Sequence, residues 1–338
     1  MKPSSRPIIV LGVDRSGTSL MGDLIHRWGA YGGDPDELTR GNSANPRGYF
    51  ENREMQRFLV EHLGRDFWAP GYTERLREKA RDPQVREIAL GLLRGMDAKA
   101  DVWFWKEPLL SVMLPFWQEV WEEPVYLITV RNPYECAVSF QQFSLSAAAR
   151  ERVNVIAANL LRWQYFMLSI LENTERSRSR KLILYESLVQ SPAEQCRELC
   201  RFLDEHCGAA GHPDRLERMI AAVDGSLHRN RCEVPFSEVP EATPEQKRLF
   251  ELLLRKTEGP QAEYDPSDYQ MYGGWREYLA NLTVFWQFYA QASSILGARP
   301  VQLVIGASRW MDALRWKLRT LGQTLRLPGS SRPETPIP

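Results

Sequence analysis

The sequence lacks any uninterrupted apolar run of the roughly 18 residues that a membrane-spanning helix requires. Its N-terminus also lacks the longer apolar core of a signal peptide. An excess of charge of either sign is missing too, because 43 basic residues balance 43 acidic ones. These absences predict a cytoplasmic protein that net charge draws to neither nucleic acid nor membrane, so that any anion site must be built locally.

Cysteine is scarce and irregularly placed. The five cysteines are odd in number and form no paired CxxC pattern, which disfavours both a zinc site and a disulfide scaffold. We therefore interpret them as reduced packing residues and expect no metal. They are Cys136, Cys196, Cys200, Cys207 and Cys232.

Short apolar segments rich in β-formers alternate with helical segments along the first two thirds of the chain. Near-continuous apolar strands separated by helices predict an α/β fold, a P-loop-type parallel sheet with helices on both faces. A helix from about Pro192 to Leu203 is predicted by Ser191 as its cap, Pro192 in its first turn and Glu194 closing a capping box. The predicted strands are IIVLGV (8–13), VWFWK (102–106), VYLITV (125–130) and KLILY (181–185).

The α/β pattern ends near residue 235. We interpret residues 1–235 as an α/β core domain, 236–327 as a mostly helical C-terminal extension and 328–338 as a disordered tail. The extension includes an amphipathic segment at 309–327 with a basic polar face. Packing on the core, self-association and peripheral contact with an anionic membrane are three uses that this segment leaves open.

The stretch GVDRSGTS resembles a phosphate-binding loop, with Gly12 and Gly17 five residues apart and Ser19 after them. Such a strand-to-helix turn aims unpaired backbone N–H groups and the positive end of a helix at one spot. Thr18 stands where the Walker motif has Lys, which disfavours a nucleotide kinase or ATPase. Arg15 supplies a cation instead, although a turn that only joins strand to helix would look similar.

A second motif, VRNPYECAVSF, follows the strand VYLITV. Arg131 lies at the strand's end, Asn132 and Pro133 make the turn, and Ser139 falls in the following helix. The carboxyl edge of a parallel sheet is where open α/β folds bind ligands. The planar guanidinium of Arg131, which can donate two parallel hydrogen bonds, suits a second phosphate.

With both motifs in place, the chain resembles the sulfotransferases that use 3′-phosphoadenosine 5′-phosphosulfate. The resemblance covers roughly residues 6–235. It implies a 5′-phosphosulfate site at Arg15 and the amides of the following residues, a 3′-phosphate site at Arg131 and Ser139, and no metal. The amides would be those of Ser16, Gly17, Thr18 and Ser19. The matching stretches, in family order, are DRSGTS (14–19), NPRGYFEN (45–52), WKEP (105–108), RNPYECAVS (131–139), LYESL (184–188) and SLHRNR (226–231).

The chain is more similar to the Golgi-type and bacterial carbohydrate or tyrosine branch than to the cytosolic members with a His base. In that branch the base is usually Glu, and Glu51 in GYFEN matches its position; an ion pair with Arg47 or Arg53 is the alternative. Lys106 would stabilise the transferred group. Arg229 and Arg231 would return to the 3′-phosphate, unless their loop is simply solvated.

The resemblance implies an enzyme that transfers a sulfonyl group to an acceptor hydroxyl. The first candidate for the acceptor is a carbohydrate or glycosylated metabolite. A lipid-linked glycan and a tyrosine side chain remain other acceptors, because a fold does not specify its substrate. A P-loop kinase and a non-catalytic interaction module are the alternative functions. Adenosine 3′,5′-bisphosphate would be the product.

Overall fold

The computed structural model describes residues 6–258 apart from 43–44, 46, 66, 68–70, 146–153, 209–212 and 228–229. Its sheet is parallel with the order β2-β1-β3-β4, which confirms the predicted fold class. The strands are β1 (Ile8–Leu11), β2 (Phe104–Lys106), β3 (Val125–Val130) and β4 (Arg180–Leu184).

Helices follow the strands and cover both faces of the sheet. Alternate residues of β1 enter different hydrophobic clusters, Ile9 on one face and Ile8 on the other, so the apolar strand sequence reflects burial on both sides. The helices are α1 (Thr18–Trp28), α2 (Arg53–Phe58), α3 (Tyr72–Arg81), α4 (Pro83–Lys99), α5 (Leu110–Trp117), α6 (Pro133–Ser144), α7 (Ile156–Thr174), α8 (Tyr185–Gln190), α9 (Pro192–Cys207), α10 (Arg215–Ala222) and α11 (Pro244–Glu258). A π-helical turn, Leu59–Leu63, extends α2, and short 3-10 turns lie at Gly225–Leu227 and Phe236–Glu238.

Asparagine side chains define where two of these helices begin. Asn132 Oδ1 accepts hydrogen bonds from the amides of Tyr134 and Glu135, so α6 begins as soon as β3 ends. Asn52 Oδ1 accepts from the amides of Glu54 and Met55 and starts α2. The helix α6 therefore starts at the carboxyl edge of the sheet.

The predicted helix after Ser191 exists but is longer and capped differently. Pro192 lies in its first turn as expected, whereas the Ser191 side chain makes no capping hydrogen bond. Ser191 also ends the preceding helix, since its amide donates to the Ser187 carbonyl. Its backbone (φ −129°, ψ 60°) is therefore not the extended conformation that a capping serine adopts.

Residues 236–258, which the sequence analysis assigns to the C-terminal extension, pack into the same hydrophobic cluster as the α/β core. Phe236 and Phe250 both lie 6.2 Å from the Trp163 ring, measured between ring centroids. Leu249 and Leu253 of α11 are fully buried. The amphipathic segment at 309–327 and the tail at 328–338 lie outside the described residues.

Across the described ranges, every helix is too short or too polar to cross a bilayer. Three cysteines, Cys136, Cys196 and Cys200, are buried in the packed interior, and all five are free thiols.

Candidate functional site

The loop between β1 and α1 is shaped by close packing around two glycines. Gly12 has φ 154°, and a Cβ there would lie 2.2 Å from Thr129 Oγ1. The Gly12 amide donates to Ser111 Oγ at 3.1 Å, and Ser111 Oγ donates back to the Gly12 carbonyl at 3.1 Å. Gly17 (φ 99°) ends the loop, and Arg15 has a left-handed backbone with φ 69°. The loop is therefore held against both β3 and α5.

The residues of this loop face in different directions. The Ser16 amide donates to the Val13 carbonyl at 3.2 Å, and the Ser16 hydroxyl lies 2.7 Å from Thr129 Oγ1. The Ser16 amide therefore closes the turn here, and its binding to an anion stays a prediction. Thr18 and Ser19 begin α1, where amides have no acceptor within the helix, so anion binding by these two amides stays a prediction.

The loop after β1 and the motif after β3 meet through side chains. Arg15 Nε donates to Ser139 Oγ at 3.1 Å, and Arg131 Nη1 donates to the Arg15 carbonyl at 3.0 Å. Burial lowers the pKa of the Arg15 guanidinium, with the Arg131 charge acting in the same direction. The structure thereby brings together the three residues expected to bind the two phosphates.

Arg131 is fixed by a buried carboxylate and an aromatic ring. Its Nε and Nη2 donate to Glu135 Oε2 at 3.1 and 2.9 Å, and its guanidinium lies 4.5 Å from the centre of the Tyr185 ring. Each terminal nitrogen of a guanidinium carries two N–H groups, so these bonds leave further donors for an anion. The orientation of Arg131 is therefore set before any ligand arrives.

Lys106 and Glu51 form a buried ion pair at the end of β2. Lys106 Nζ donates to Glu51 Oε1 at 2.5 Å, with the side chains 2% and 12% exposed. This replaces the alternative in which Glu51 pairs with Arg47 or Arg53. Arg47 instead lies 3.6 Å from Asp224, and Arg53 Nε donates to the Glu37 carbonyl.

The segment around Glu51 is aligned by backbone hydrogen bonds with an antiparallel neighbour. The Thr39 amide donates to the Glu51 carbonyl and the Arg53 amide to the Glu37 carbonyl, both at 2.9 Å. The centre of the Tyr49 ring is 6.0 Å from Lys106 Nζ. The aromatic ring of Tyr49 is thus a neighbour of the buried Lys106–Glu51 pair.

These side chains gather at the carboxyl ends of three neighbouring parallel strands, and comparison with known proteins identifies the family. Residues 7–207 match the model of the Sulfotransferase family. The chain belongs to this family. Transfer of a sulfonyl group is therefore its activity. No curated protein matches the chain.

Solved sulfotransferase structures are also similar to the chain. The domain from the curacin biosynthetic pathway is 16% identical with a TM-score of 0.44, and covers 74% of this chain and 97% of its own. The domain from the Synechococcus PCC 7002 olefin synthase is 16% identical (TM-score 0.40; 81% and 97% covered). A sulfotransferase from Mycobacterium avium is 15% identical (TM-score 0.43; 77% and 79% covered).

In this sulfotransferase Arg231 and Cys232 lie close to the Arg131 motif. The Cys232 amide donates to Glu135 Oε1 at 3.0 Å, and Arg231 lines a cavity of about 460 Å³ together with Asn132 and Glu186. Arg229 lies outside the described residues. The structure therefore places Arg231 near the carboxylate that holds Arg131.

Glu107, the residue after Lys106, is a buried carboxyl of the site that the sequence motifs did not predict. This carboxyl is 4% exposed, accepts hydrogen bonds from Gln56 Nε2 at 2.9 Å and from the Leu109 amide at 3.2 Å, and has its pKa raised to about 7 by burial and by the Glu51 charge. The sequence WFWKEP contains the relevant signal, an acid directly after a buried strand. Among the described residues of the sulfotransferase, no group of three or more His, Cys, Asp or Glu could hold a metal ion.

Proposed function

We propose that this sulfotransferase uses 3′-phosphoadenosine 5′-phosphosulfate as donor and a hydroxyl of a carbohydrate or glycosylated metabolite as acceptor. One observation carries the proposal: the hydrogen bond from Arg15 to Ser139 joins the glycine-rich loop to the Arg131 motif. Two anion sites on one continuous surface suit a donor with phosphates at both its 5′ and 3′ positions.

The residues present fit that donor. The turn after β1 offers the amides of Thr18 and Ser19 at a helix N-terminus, beside the Arg15 cation. Arg131 offers a planar fork already oriented by Glu135. A donor with a single phosphate would contact only one of these two sites.

Three side chains have distinct tasks in the proposed transfer. The acceptor oxygen forms a bond to sulfur while the bond from sulfur to the 5′-phosphate oxygen breaks, and the departing phosphate keeps the electron pair. Glu51 takes the proton from the acceptor hydroxyl. Lys106 and Arg15 stabilise negative charge on the transferred group and on the departing phosphate, respectively.

A carbohydrate acceptor is supported by the surface beside Glu51. Tyr49 is half-buried there, and its hydroxyl donates to Asn42 Oδ1 at 2.9 Å. An aromatic ring with neighbouring polar groups provides both the apolar contact and the hydrogen bonds that a sugar ring requires. A lipid-linked glycan or a tyrosine side chain presents the same hydroxyl chemistry.

The kinase alternative finds no support at position 18. Thr18 is 4% exposed and lies where a kinase needs a Lys that reaches the terminal phosphates. The non-catalytic alternative does not account for the Lys106–Glu51 pair, since a buried ion pair is costly to maintain without a function. Both features favour sulfonyl transfer.

Thermal unfolding with nucleotides tests the donor. We expect adenosine 3′,5′-bisphosphate to raise the Tm markedly more than adenosine 5′-phosphate does, because only the former reaches the Arg131 and Ser139 site. Arg131→Ala should weaken bisphosphate binding roughly ten-fold or more, since a charge-assisted hydrogen bond contributes about 1.5–3 kcal/mol.

Arg94→Ala is the matched control, because Arg94 is 60% exposed on α4 and pairs only with a similarly exposed glutamate in the described contacts. Equal Tm shifts with the two nucleotides would contradict the donor assignment. The acceptor is identified by incubating the protein with radiolabelled donor and an extract of the host, and then determining which product is labelled.

A further inference from the structure

The loop that is proposed to bind an anion contains an acidic residue. Asp14 lies between Val13 and Arg15, and its side chain is partly exposed. A carboxylate at this position opposes the binding of a phosphate or sulfate, because like charges repel more strongly where the protein excludes part of the water. The loop can hold an anion well only if another group balances this negative charge.

Arg162 of α7 provides the balancing charge. Its Nε donates to Asp14 Oδ2 at 3.1 Å, and its Nη2 donates to the same oxygen. The two residues are 148 positions apart, so the pair forms only in the folded chain. Arginine remains protonated in proteins, and this partner is therefore present whenever Asp14 is ionised.

Three aromatic rings surround the guanidinium of Arg162. The guanidinium carbon lies 4.4 Å from the centre of the Phe166 ring, 5.2 Å from that of Phe140 and 5.3 Å from that of Phe67. The faces of aromatic rings attract cations, and the planar guanidinium stacks on them. These contacts fix the direction in which the guanidinium points before any ligand binds.

We propose that Arg162 is a positioning residue for the donor: it pairs with Asp14 and thereby removes a repulsive charge from the anion-binding loop. This inference rests on the proposed function, in which the loop binds the 5′-phosphosulfate. Asp14 directly precedes Arg15, so an unpaired carboxylate would lie beside the cation proposed for the departing phosphate and would compete with the donor for it.

A double-mutant cycle separates charge from architecture. Arg162→Met removes the cation and keeps an unbranched side chain among the rings, so adenosine 3′,5′-bisphosphate should bind about ten-fold more weakly in titration calorimetry. Addition of Asp14→Asn removes the unbalanced carboxylate and should restore the affinity to within about three-fold of the unaltered chain. A purely structural contribution gives no such rescue, because the double variant still lacks the ion pair.

Asp14→Asn alone tests the same idea with Arg162 in place, even if Arg162→Met fails to fold. Since a negative charge is lost from the loop, this variant should bind the bisphosphate at least as tightly as the unaltered chain. Weaker binding would show that the carboxylate supports the loop instead of opposing the anion, and would overturn the proposal.

Arg215→Met is the matched control. Arg215 and Asp204 form an ion pair whose side chains are 20% and 31% exposed, close to the 18% and 27% of the pair at the loop. Asp204 also accepts a hydrogen bond from the indole of Trp28, at the end of α1 remote from the loop. Loss of this pair should therefore lower the Tm without changing the affinity for the bisphosphate.

Ionic strength provides a second readout. The ratio of affinities between the unaltered chain and Arg162→Met should shrink as the ionic strength rises from about 0.01 M to about 1 M, because salt screens repulsion between partly exposed charges. A ratio that is independent of salt would contradict a charge effect.

Inorganic sulfate is a probe that requires the loop alone. At fixed ionic strength, the Tm increase caused by sulfate should be lost in Arg162→Met and regained in the double variant. The proposal is overturned if the double variant binds both anions as weakly as Arg162→Met does, or if Arg162→Met binds them normally.

Failure of the donor assignment has a different signature. Adenosine 3′,5′-bisphosphate and adenosine 5′-phosphate would then raise the Tm of the unaltered chain equally, while the order of the variants with sulfate persists. A Tm that responds to neither the bisphosphate nor sulfate in the unaltered chain would overturn both proposals together.

Discussion

At the residue scale, burial distinguishes the Lys106–Glu51 pair from surface ion pairs such as Arg94–Glu87. Arg94 and Glu87 also approach within 2.5 Å, but their side chains are 60% and 67% exposed. Water and salt screen such a surface pair, which contributes about 0–1 kcal/mol. The Lys106 side chain is 2% exposed, so its charge depends almost entirely on neighbouring protein groups.

Substitution of Glu51 by Gln tests its role as base. The amide keeps the shape of the side chain and one oxygen for the Lys106 hydrogen bond, but it cannot accept a proton. We expect turnover to fall by roughly 10²–10⁴ while the affinity for adenosine 3′,5′-bisphosphate stays nearly constant. Steady-state kinetics and the nucleotide-dependent Tm measure the two properties separately.

Glu54→Gln is the matched control for this substitution. Glu54 lies in the first turn of α2 and is exposed, so loss of its charge should leave turnover close to normal. Normal turnover in Glu51→Gln, or equal losses in both variants, would show that the proton goes elsewhere.

At the element scale, the start of α1 depends on a glycine in contact with a distant helix. A Cβ at Gly17 would lie 2.5 Å from Tyr185 Cδ2, and φ at Gly17 is 99°. The same Tyr185 ring lies against the Arg131 guanidinium. A shift of the Tyr185 ring caused by a change at Gly17 would therefore also displace the Arg131 guanidinium.

Gly17→Ala should thus lower stability and weaken donor binding together. A left-handed non-glycine residue costs about 1–3 kcal/mol, and displacement of Tyr185 disturbs Arg131 in addition. Chemical denaturation and titration with adenosine 3′,5′-bisphosphate give the two measurements.

Gly95→Ala in α4 is the corresponding control. It is helical, and nothing lies within 4 Å of the added Cβ, so the substitution should stabilise the chain by about 0.5–1 kcal/mol. If Gly17→Ala were as well tolerated as Gly95→Ala, the packing at the loop would not govern the site.

At the scale of the whole molecule, the hydrophobic core that packs on the sheet extends beyond residue 235. Phe236, Leu249 and Leu253 are at most 4% exposed and belong to the cluster that covers one face of the sheet. Fully burying one such side chain contributes about 1.5–3 kcal/mol. Several of them together are comparable with the total stability of about 5–15 kcal/mol typical of a domain.

Truncation tests this extent directly. A chain ending at Glu258 should unfold cooperatively and keep the Tm increase with adenosine 3′,5′-bisphosphate. A chain ending at Pro235 should be insoluble or lack cooperative unfolding, because α7 loses the partners of Trp163. Equal behaviour of the two truncated chains would show that α11 is dispensable for the core.

The sequence by itself determined the features that depend on neighbouring residues. These features are the four strands, the glycine-rich turn, and the turn at Arg131 with the helix after it. Each is formed by residues that are close together in the sequence. Ser139 could be assigned to the helix that follows Arg131 because the spacing lies within one continuous segment. The family resemblance drew on the same local motifs.

Only the tertiary structure decided which of these segments meet. Glu51 and Lys106 are 55 positions apart, and Arg15 and Ser139 are 124 apart. Neither pairing follows from the local sequence pattern. Glu51, for example, could equally have paired with Arg47, Arg53 or water. Burial is likewise a property of the folded chain. It raises the pKa of the Glu107 carboxyl, and only the folded structure shows that α11 and Ser16 are buried. The physical reason is that desolvation and long-range contacts depend on which surfaces pack together, whereas periodicity reports only which face of an element is apolar.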